Sequence, residues 1–554
     1  MTLLDPRHAI RGAGRAGSRA AVELHGLGQV VRAGLVRPDP PRRAAAILRS
    51  LRRYGMLGGS VTAAALRHGE RVGLVDELGE LTFAELDRRS NALANAWLER
   101  GIRPEAKIAI LCRNHRGFLD ATLASAKLGA RAVYLNTDFA GPQIADVCAR
   151  EMTEALVHDG EFADFVAGAA ARRGRFCAWA DRPQDAPTLE ELIAEGDPGP
   201  PPPPPEHGSV VMLTSGTTGT PKGAPRPNPR SLEPLGALLS KVPFRRGEVT
   251  HVAPPMFHAF GFANAVLGLG LGSTLVTARR FDAESAVAAV AAKRATALIV
   301  VPVMLQRIVA LGPEVLGRHD LSSLRIVFCG GAQLEGELAR ATREALGDVL
   351  YNLYGSTEVA YATIATPDDL RAAPGCAGRP PFGTTVRLYD DAGVPVTERG
   401  ASGRIFVGNS FQFEGYTGGG TKEVIDGLMS TGDVGHFDGG GRLFIDGRDD
   451  EMIVSGGENV FPREVEELLV THAEIEEAAA IGVPDEQFGQ VLHAFIVRRP
   501  DGRLDEDGVR AFVRENLARY KIPRQVEFID ALPRNPSGKV LKRELAEARA
   551  SRMG

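Results

Sequence analysis

From about residue 60 onward, short runs of β-branched and other apolar residues alternate with alanine-rich stretches of helical character. The runs Lys107–Cys112, Ala297–Val301 and Leu324–Phe328 are each long enough for one buried strand. Strands that alternate with helical stretches indicate βαβ units, in which helices cover the faces of a parallel sheet. The sequence therefore predicts an α/β fold in which sheets are covered by helices.

The chain of 554 residues is long enough to bury more than one core, and its local composition and residue pattern change along its length. The proline run Pro200–Pro205 predicts an extended spacer. Beyond Arg448 the sequence is typical of a compact α+β unit with its own helix, Pro462–Thr471, which has proline in its first turn. We predict a basic N-terminal extension over residues 1–55, a large domain over 56–449 and a small mobile domain over 450–554.

The N-terminal extension holds eleven arginines, no lysine and three acids. Helical spacing between residues 42 and 54 places arginines on one face and larger apolar side chains on the other: Arg42, Arg43, Arg49, Arg52 and Arg53 against Ile47, Leu48, Leu51 and Tyr54. Such a helix docks on its own domain, contacts a membrane surface, or belongs to an organellar transit peptide. The sequence favours docking and leaves peripheral membrane contact through residues 42–54 as the main alternative.

Composition excludes several classes of protein. The 65 lysines and arginines nearly balance 69 acids, so the overall charge does not indicate a nucleic acid partner. The five cysteines form no CxxC pair, which predicts reduced thiols in the cytoplasm, without a zinc site or disulfides. The uncharged stretch Val252–Ala278 is long enough for a membrane span, but its prolines, histidine and glycines predict a loop followed by a buried helix. No secretory signal is predicted, because the first 25 residues lack a continuous apolar segment.

The apolar strand Ser209–Leu213 leads into ten residues that read Thr-Ser-Gly-Thr-Thr-Gly-Thr-Pro-Lys-Gly. Backbone N–H groups and hydroxyls of such a loop can surround phosphate oxygens, and a lysine adds positive charge. The spacing is not that of a Walker A loop. Because the whole chain has only nine lysines, a lysine inside this loop stands out. We predict a phosphate-binding loop formed by Thr214, Ser215, Gly216, Thr217, Thr218, Gly219 and Lys222.

The loop at 214–223 resembles the phosphate loop of the adenylate-forming superfamily, which includes acyl-CoA synthetases, aryl-CoA ligases, peptide-synthetase adenylation domains and luciferases. Further motifs resemble that family in the same order: Tyr354–Glu358 (YGSTE), Ser430–Asp433 (STGD), Gly447–Asp450 (GRDD) with Ser455–Asn459 (SGGEN), and Pro533–Lys539 (PRNPSGK). The resemblance covers residues 214–539. It implies a large domain followed by a small mobile one, and an enzyme that activates a carboxylic acid with ATP and Mg²⁺ and transfers the acyl group to coenzyme A.

The resemblance also implies a role for each motif. Attack of a carboxylate on the α-phosphate of ATP brings two anions together, so Mg²⁺ and fixed cations must neutralise the charge. Glu358 is implied as the magnesium ligand and Thr357 as the contact to the α-phosphate. Tyr354, next to Gly355, is implied to stack on adenine. Asp433 is implied to accept hydrogen bonds from the ribose hydroxyls, with Arg448 assisting.

Two chemical steps in one cleft require a moving domain. By resemblance, Lys539 of the small domain bridges the incoming carboxylate and the phosphate during adenylate formation. Asp450 occupies the position of the family's hinge. Rotation about it would withdraw Lys539 and present the loop Ser455–Asn459, where Gly457 leaves room for the pantetheine arm of coenzyme A.

The segments Pro254–Gly261 and Gly330-Gly331-Ala332 resemble the family's acid-binding motifs. No aspartate or glutamate occurs between His251 and Phe281, so the ammonium group of an amino acid would remain unpaired there. His258 stands where peptide-synthetase domains place an acid, and we assign it to the substrate carboxylate or to gating of the pocket. An alkyl or aryl acid is therefore expected.

We predict an AMP-forming ligase that joins medium- to long-chain fatty acids to coenzyme A and releases pyrophosphate. An aryl-CoA ligase for cinnamate- or benzoate-type acids is the first alternative, and a fatty acyl-AMP ligase that delivers to a carrier protein is another. An inactive nucleotide-binding scaffold is the alternative from outside the enzymes. The presence of Glu358 and Lys539 argues against that scaffold.

Overall fold

The protein is represented by a computed structural model that describes residues 6–215, 221–225, 231–390, 392–413, 415–416, 419–448, 453–460, 462–500, 502–533, 540 and 542–553. Its α-helices in these ranges are α1 (Pro6–Ala33), α2 (Pro41–His68), α3 (Phe83–Glu99), α4 (Arg116–Leu128), α5 (Gly141–Glu151), α6 (Leu189–Glu195), α7 (Glu233–Lys241), α8 (Ala259–Gly270), α9 (Ala283–Ala292), α10 (Pro302–Val309), α11 (Gly312–Leu316), α12 (Gly336–Leu346), α13 (Pro367–Ala372), α14 (Pro462–Leu469), α15 (Glu506–Asn516) and α16 (Lys542–Met553).

The described strands are β1 (Val72–Asp76), β2 (Gly79–Thr82), β3 (Lys107–Leu111), β4 (Arg131–Tyr134), β5 (Ala155–Asp159), β6 (Arg175–Trp179), β7 (Ser209–Ser215), β8 (Pro221–Pro225), β9 (Val249–Val252), β10 (Thr274–Val276), β11 (Ala297–Val300), β12 (Ile326–Gly330), β13 (Leu350–Tyr354), β14 (Thr363–Ala365), β15 (Thr385–Tyr389), β16 (Gly403–Gly408), β17 (Val424–Ile425), β18 (Leu428–Phe437), β19 (Leu443–Arg448), β20 (Ile453–Ser455), β21 (Glu458–Val460), β22 (Ile475–Asp485), β23 (Gly489–Arg498) and β24 (Gln525–Phe528). Short 3₁₀ turns lie at Gly160–Phe162 and Arg519–Lys521.

These strands form four sheets. One has the order β14-β13-β12-β11-β9-β10-β1-β2, and another has the order β6-β5-β3-β4-β7-β8. Among the strands described, every neighbouring pair in these two sheets is parallel except β1–β2, β13–β14 and β7–β8. The predicted α/β fold of sheets covered by helices is confirmed. An antiparallel sheet of β15–β19 follows, and β20–β24 form the sheet of the small C-terminal unit.

The predicted strands correspond to β3, β11 and β12. In β3, the side chains from Ile108 to Leu111 are fully buried. Central strands of a parallel sheet are covered on both faces, which is why they read as continuous apolar runs and not as alternating ones. The stretch proposed as loop and buried helix is likewise found as β9, a loop, α8 and β10. Within the described ranges, no helix is both long and apolar enough to cross a membrane.

The basic N-terminal helix docks on its own domain as part of α2, whose backbone is irregular at Gly55. Ile47 and Tyr54 are buried, as the predicted apolar face requires. The predicted faces are wrong at two positions. Leu48 is 49% exposed, whereas Arg53 is partly buried because its guanidinium and the Tyr54 hydroxyl both donate to the carbonyl of Pro201 in the proline spacer.

The small C-terminal unit contains the predicted helix as α14, next to the hairpin of β20 and β21. Its core is formed by side chains from α14, α15 and the sheet, among them Val465, Leu492 and Val513. The predicted boundaries of the domains stay predictions. Asp450 and Lys539 lie outside the described residues.

Candidate active site

A cavity of about 1370 Å³ lies where the large and small units meet. The large unit contributes residues that follow its strands, among them Gly331, Ala332 and Thr357, and the small unit contributes the turn of the β20–β21 hairpin. The strands β12 and β13 are parallel neighbours in which Gly330 pairs with Leu353. Their carboxyl ends therefore meet at one sheet edge, which is where ligands bind in open α/β sheets.

The predicted nucleotide residues Tyr354 and Asp433 are in direct contact. The Tyr354 hydroxyl donates to Asp433 Oδ2 at 2.6 Å and also lies 3.1 Å from Thr431 Oγ1. Both Tyr354 and Asp433 line the cavity, and Asp433 is buried. Arg448 lies opposite Asp433 in the register of β18 and β19. Tyr354 and Asp433, which are far apart in sequence, thus meet at one wall of the cavity.

The predicted magnesium ligand Glu358 follows the same strand end. Its Oε1 accepts a hydrogen bond from the Tyr416 hydroxyl at 2.8 Å, and its backbone carbonyl accepts from the N–H of Phe413. Carboxylate oxygens are ligands that Mg²⁺ prefers, and a hydrogen bond to a ligating group fixes its orientation. Glu358 therefore presents one oriented carboxylate of the kind that Mg²⁺ prefers, and its role as the magnesium ligand stays a prediction.

The backbone around Gly355 shows why this motif needs glycine. A Cβ at Gly355 would lie 2.3 Å from the carbonyl oxygen of Ala360, so no other residue fits without displacement of the loop. Ala360 itself has a φ of 65°. The YGSTE segment therefore folds back tightly on the residues that follow it, and this turn places Thr357 at the cavity.

The predicted phosphate loop is only partly described. β7 and β8 form an antiparallel hairpin in which Thr214 pairs with Lys222 and Ser215 with Pro221. The residues between them, Gly216, Thr217, Thr218 and Gly219 among them, lie outside the described residues. The hairpin borders β4, whose last residue, Tyr134, lines the cavity.

His258 and Glu458 join the two units across the cavity. The His258 Nε2 lies 2.7 Å from Glu458 Oε1, and the amide of Asn136 donates to Glu458 Oε2 at 3.3 Å. Burial lowers the pKa of His258, but the Glu458 carboxylate and Asp138 outweigh it, so the pKa is raised above 6.5. Burial raises the pKa of Glu458, but its contacts with His258 and Asn136 lower it below 4.5 overall.

Gly457 lies at the turn of the hairpin that carries Glu458. Gly456 and Gly457 have φ values of 59° and 91°, in the left-handed region that favours glycine. Both line the cavity, and a Cβ at Gly457 would come no closer than 4.0 Å to Val301. In this arrangement of the domains, the hairpin turn faces the cavity.

Cys112, His115 and Asp159 are buried together. In the described ranges they are the one group of three or more potential metal-ligating side chains whose ligand atoms all lie within 4.8 Å of one another. His115 Nε2 is 2.7 Å from Asp159, and its Nδ1 accepts from the backbone N–H of Gly117. Burial raises the pKa of the Cys112 thiol, which favours its neutral form. Because both ring nitrogens are already engaged, we interpret the cluster as structural.

Comparison with known families identifies the family to which the chain belongs. Residues 61–417 match the family described as AMP-binding enzyme, and residues 464–539 match the AMP-binding enzyme C-terminal domain. The chain belongs to the adenylate-forming superfamily of AMP-binding enzymes. The predicted AMP-forming acid–thiol ligase, with ATP, Mg²⁺ and coenzyme A, is thereby confirmed.

Several relatives cover most of the chain. A feruloyl-CoA synthase of an Amycolatopsis species is 36% identical over 87% of this chain and 95% of that protein. The fatty acid–[acyl-carrier-protein] ligase ScoC of Streptomyces coeruleorubidus is 30% identical over 84% of this chain and 91% of that protein. The structure of the amide bond synthetase McbA from Marinactinospora thermotolerans superposes with a TM-score of 0.77, at 30% identity over 86% of this chain and 96% of that chain.

The sequence motifs missed several residues of the candidate site. Glu458 was part of a recognised motif, but nothing in the sequence links it to His258, 200 positions earlier. Asn136 and Tyr416 lie outside every motif, and their contacts to Glu458 and Glu358 arise only in the folded chain. Asn352 also lines the cavity. It lies two positions before Tyr354 in β13, and because side chains alternate along a strand, its place on the same face as Tyr354 was the available signal.

The His258–Glu458 pair predicts a pH dependence of domain docking. A raised pKa on His258 favours the docked arrangement below the ordinary value of 6.5, and this contribution is lost as pH rises through the raised value. A lowered pKa on Glu458 favours docking above 4.5, and this contribution is lost as pH falls through the lowered value. Docking with the hairpin at the cavity should be most favoured between these limits.

The measurement is thioester formation from preformed acyl-adenylate, expressed as the rate of wild type divided by that of Glu458→Gln at each pH. We expect a ratio of about two to five at pH 6, because partly exposed ion pairs contribute ~0–1 kcal/mol. The ratio should fall toward one at alkaline pH. Glu476→Gln, at an exposed position of the same domain, is the control. A ratio that stays constant with pH would contradict the pairing.

Proposed function

We propose that the protein is an aryl acid–CoA ligase, which forms an aryl acyl-adenylate from ATP and then an aryl-CoA thioester. The observation that carries the proposal is the aromatic wall of the cavity. Phe260 and Phe328 both line it, with ring centroids 5.2 Å apart and planes tilted by 52°. A substrate ring can pack against such rings in tilted or offset geometry, which stabilises aromatic pairs beyond the burial of their area.

The rest of this wall is apolar. Phe260, Ala263 and Leu267 occupy one face of α8, and Leu235 and Leu238 of α7 line the same cavity. Small-molecule sites have this composition, with a few polar groups that fix orientation. The similarity to a feruloyl-CoA synthase supports an aryl substrate.

We further propose that the motif residues keep the roles that their resemblance implies. Tyr354 and Asp433 hold the adenosine, Gly330 to Ala332 border the acyl group, and Thr357 contacts the α-phosphate. Glu358 would hold Mg²⁺, which when bound neutralises charge on the phosphates. The hairpin with Gly457 borders the path of the pantetheine arm.

A fatty acid is the second candidate substrate. The similarity to ScoC favours it, since ScoC is a fatty acid–[acyl-carrier-protein] ligase. The cavity volume does not separate the two candidates, because the same cavity is also lined by Tyr354, Asp433 and Gly457 and so must hold nucleotide and the thiol arm. Peripheral membrane contact through residues 42–54 and a cytoplasmic location stay predictions.

A substrate screen tests the proposal. Pyrophosphate release would be measured with ATP and Mg²⁺ for cinnamate, ferulate, benzoate, octanoate and palmitate, with hydroxylamine to trap the adenylate, and then repeated with coenzyme A. We expect kcat/KM for the best aryl acid to exceed that for either fatty acid by at least about 10-fold, as one mismatched group in an apolar pocket costs 10–200-fold. A higher kcat/KM for palmitate would contradict the aryl proposal and favour the fatty acid.

A further inference from the structure

Helix α1 packs along α7, although it lies before residue 61, where the family match begins. The Glu23 carboxylate of α1 accepts a hydrogen bond from the backbone N–H of Leu232, the residue before α7, at 3.1 Å. Val30 and Ala33 of α1 are buried, and the carbonyl of Ala33 accepts from the backbone N–H of Arg246. Hydrogen bonds at Glu23 and at Ala33 therefore hold the second half of α1 against the segment that contains α7.

Two glycines allow the backbones of α1 and α7 to meet. A Cβ at Gly236 of α7 would lie 2.4 Å from the Cα of Gly26 in α1. A Cβ at Gly26 would lie 3.0 Å from the carbonyl oxygen of Leu232. No side chain separates the two helices at this point, so any added atom must push one backbone away from the other.

Helix α7 lies between α1 and the cavity. Pro234, Leu235 and Leu238 of α7 line the cavity, and Leu235 and Leu238 pack against the apolar cluster that includes Phe328. Its first turn is anchored separately, because the Glu233 carboxylate accepts from the backbone N–H of Ser410 at 3.2 Å. A displacement at Gly236 should therefore move Leu238 more than the anchored start of the helix.

We propose that α1 is a positioning element that sets the shape of the acid-binding end of the cavity through the Gly26–Gly236 contact. Protein interiors are close-packed, so pressure on one side of a single helix is passed to the side chains on the other. The affected side chains are those at the aromatic wall, not those at Tyr354 and Asp433. Displacing α1 from α7 should weaken binding of the acid and leave binding of ATP unchanged.

A matched series of glycine-to-alanine substitutions in the full-length chain tests the proposal. Gly26→Ala and Gly236→Ala add one carbon at the contact, whereas Gly28→Ala adds it to α1 where nothing lies within 4 Å. All three positions are helical, so the gain in helix propensity is the same. KM and kcat would be measured for ATP and for the best acid that wild type uses, with a thermal melt for each variant.

We expect KM for the acid to rise in the order Gly28→Ala, Gly26→Ala, Gly236→Ala. KM for the acid should be unchanged in Gly28→Ala. Gly236→Ala should lower kcat/KM for the acid by up to about 10²-fold, because a displacement near 1 Å can have an effect of this size. KM for ATP should stay within about twofold throughout. If Gly236→Ala does not fold, Gly26→Ala carries the comparison, since its neighbour need move only slightly.

Equal acid KM values in folded Gly26→Ala and Gly28→Ala would overturn the proposal, as would a parallel rise in KM for ATP and acid. A lower melting temperature with unchanged KM would show a purely structural contact and would also overturn it. The proposal rests on the ligase activity but not on the class of acid. Absence of acid-dependent pyrophosphate release in wild type would instead refute the proposed function.

Discussion

Lys539→Ala is expected to slow acyl-adenylate formation by about 10²–10³-fold, the usual loss when one preorganised donor to a developing charge is removed. The lysine ammonium is proposed to bridge the substrate carboxylate and the α-phosphate, where two anions meet. The measurement is acid-dependent exchange of labelled pyrophosphate into ATP. Thioester formation from preformed acyl-adenylate should persist at near the wild-type rate, because we propose that this step uses the hairpin of Glu458 at the cavity and not the lysine.

Lys542→Ala is the matched control for this prediction. Lys542 begins α16, three positions after Lys539, and its ammonium pairs with Glu466 of the same domain at 3.0 Å. Loss of this pair should leave both half-reactions nearly unchanged, because partly exposed ion pairs contribute little. Equal loss of both half-reactions in Lys539→Ala would indicate damage to the domain and would contradict the assigned role.

Local patterns were sufficient to predict the fold class. The strands β3 and β11 are buried on both faces, so each appears in the sequence as a continuous apolar run. Such a run can be recognised as a strand without knowledge of any distant residue. The faces of α2 were predicted less well. Arg53 is drawn inward by the carbonyl of Pro201, an acceptor 148 positions away, and helical periodicity carries no information about such a partner.

The candidate site likewise contains some residues that the sequence revealed and others that it did not. Tyr354, Glu358 and Asp433 were recognisable because each stands in a short motif. The contact between Tyr354 and Asp433 joins two different sheets and is visible only in the folded chain. The pair of His258 and Glu458 was not predictable, because it depends on how one domain docks on the other. The Gly26–Gly236 approach depends in the same way on packing between distant helices.

Glu358→Gln is expected to reduce acyl-adenylate formation by about 10²-fold or more and to raise the Mg²⁺ concentration needed for half-maximal rate. The substitution keeps the size of the side chain and an oxygen that can accept from the Tyr416 hydroxyl, but it removes the negative charge that a divalent cation requires. Pyrophosphate exchange would be measured across a Mg²⁺ titration. Glu314→Gln, at a side chain that is 86% exposed and pairs only with Arg318 among the described residues, is the control.

Tyr416→Phe separates the role of the carboxylate from that of its orientation. It removes the 2.8 Å hydrogen bond to Glu358 Oε1 but leaves the charge in place. Loss of such a supporting contact typically lowers metal affinity by about 10–100-fold, so the Mg²⁺ requirement should rise while the rate at saturating Mg²⁺ recovers. In Glu358→Gln the rate should remain low even at saturating Mg²⁺. If excess Mg²⁺ restored both variants equally, Glu358 would not hold the ion directly, and the hydrogen-bonded pair would act only by shaping the loop that carries Thr357.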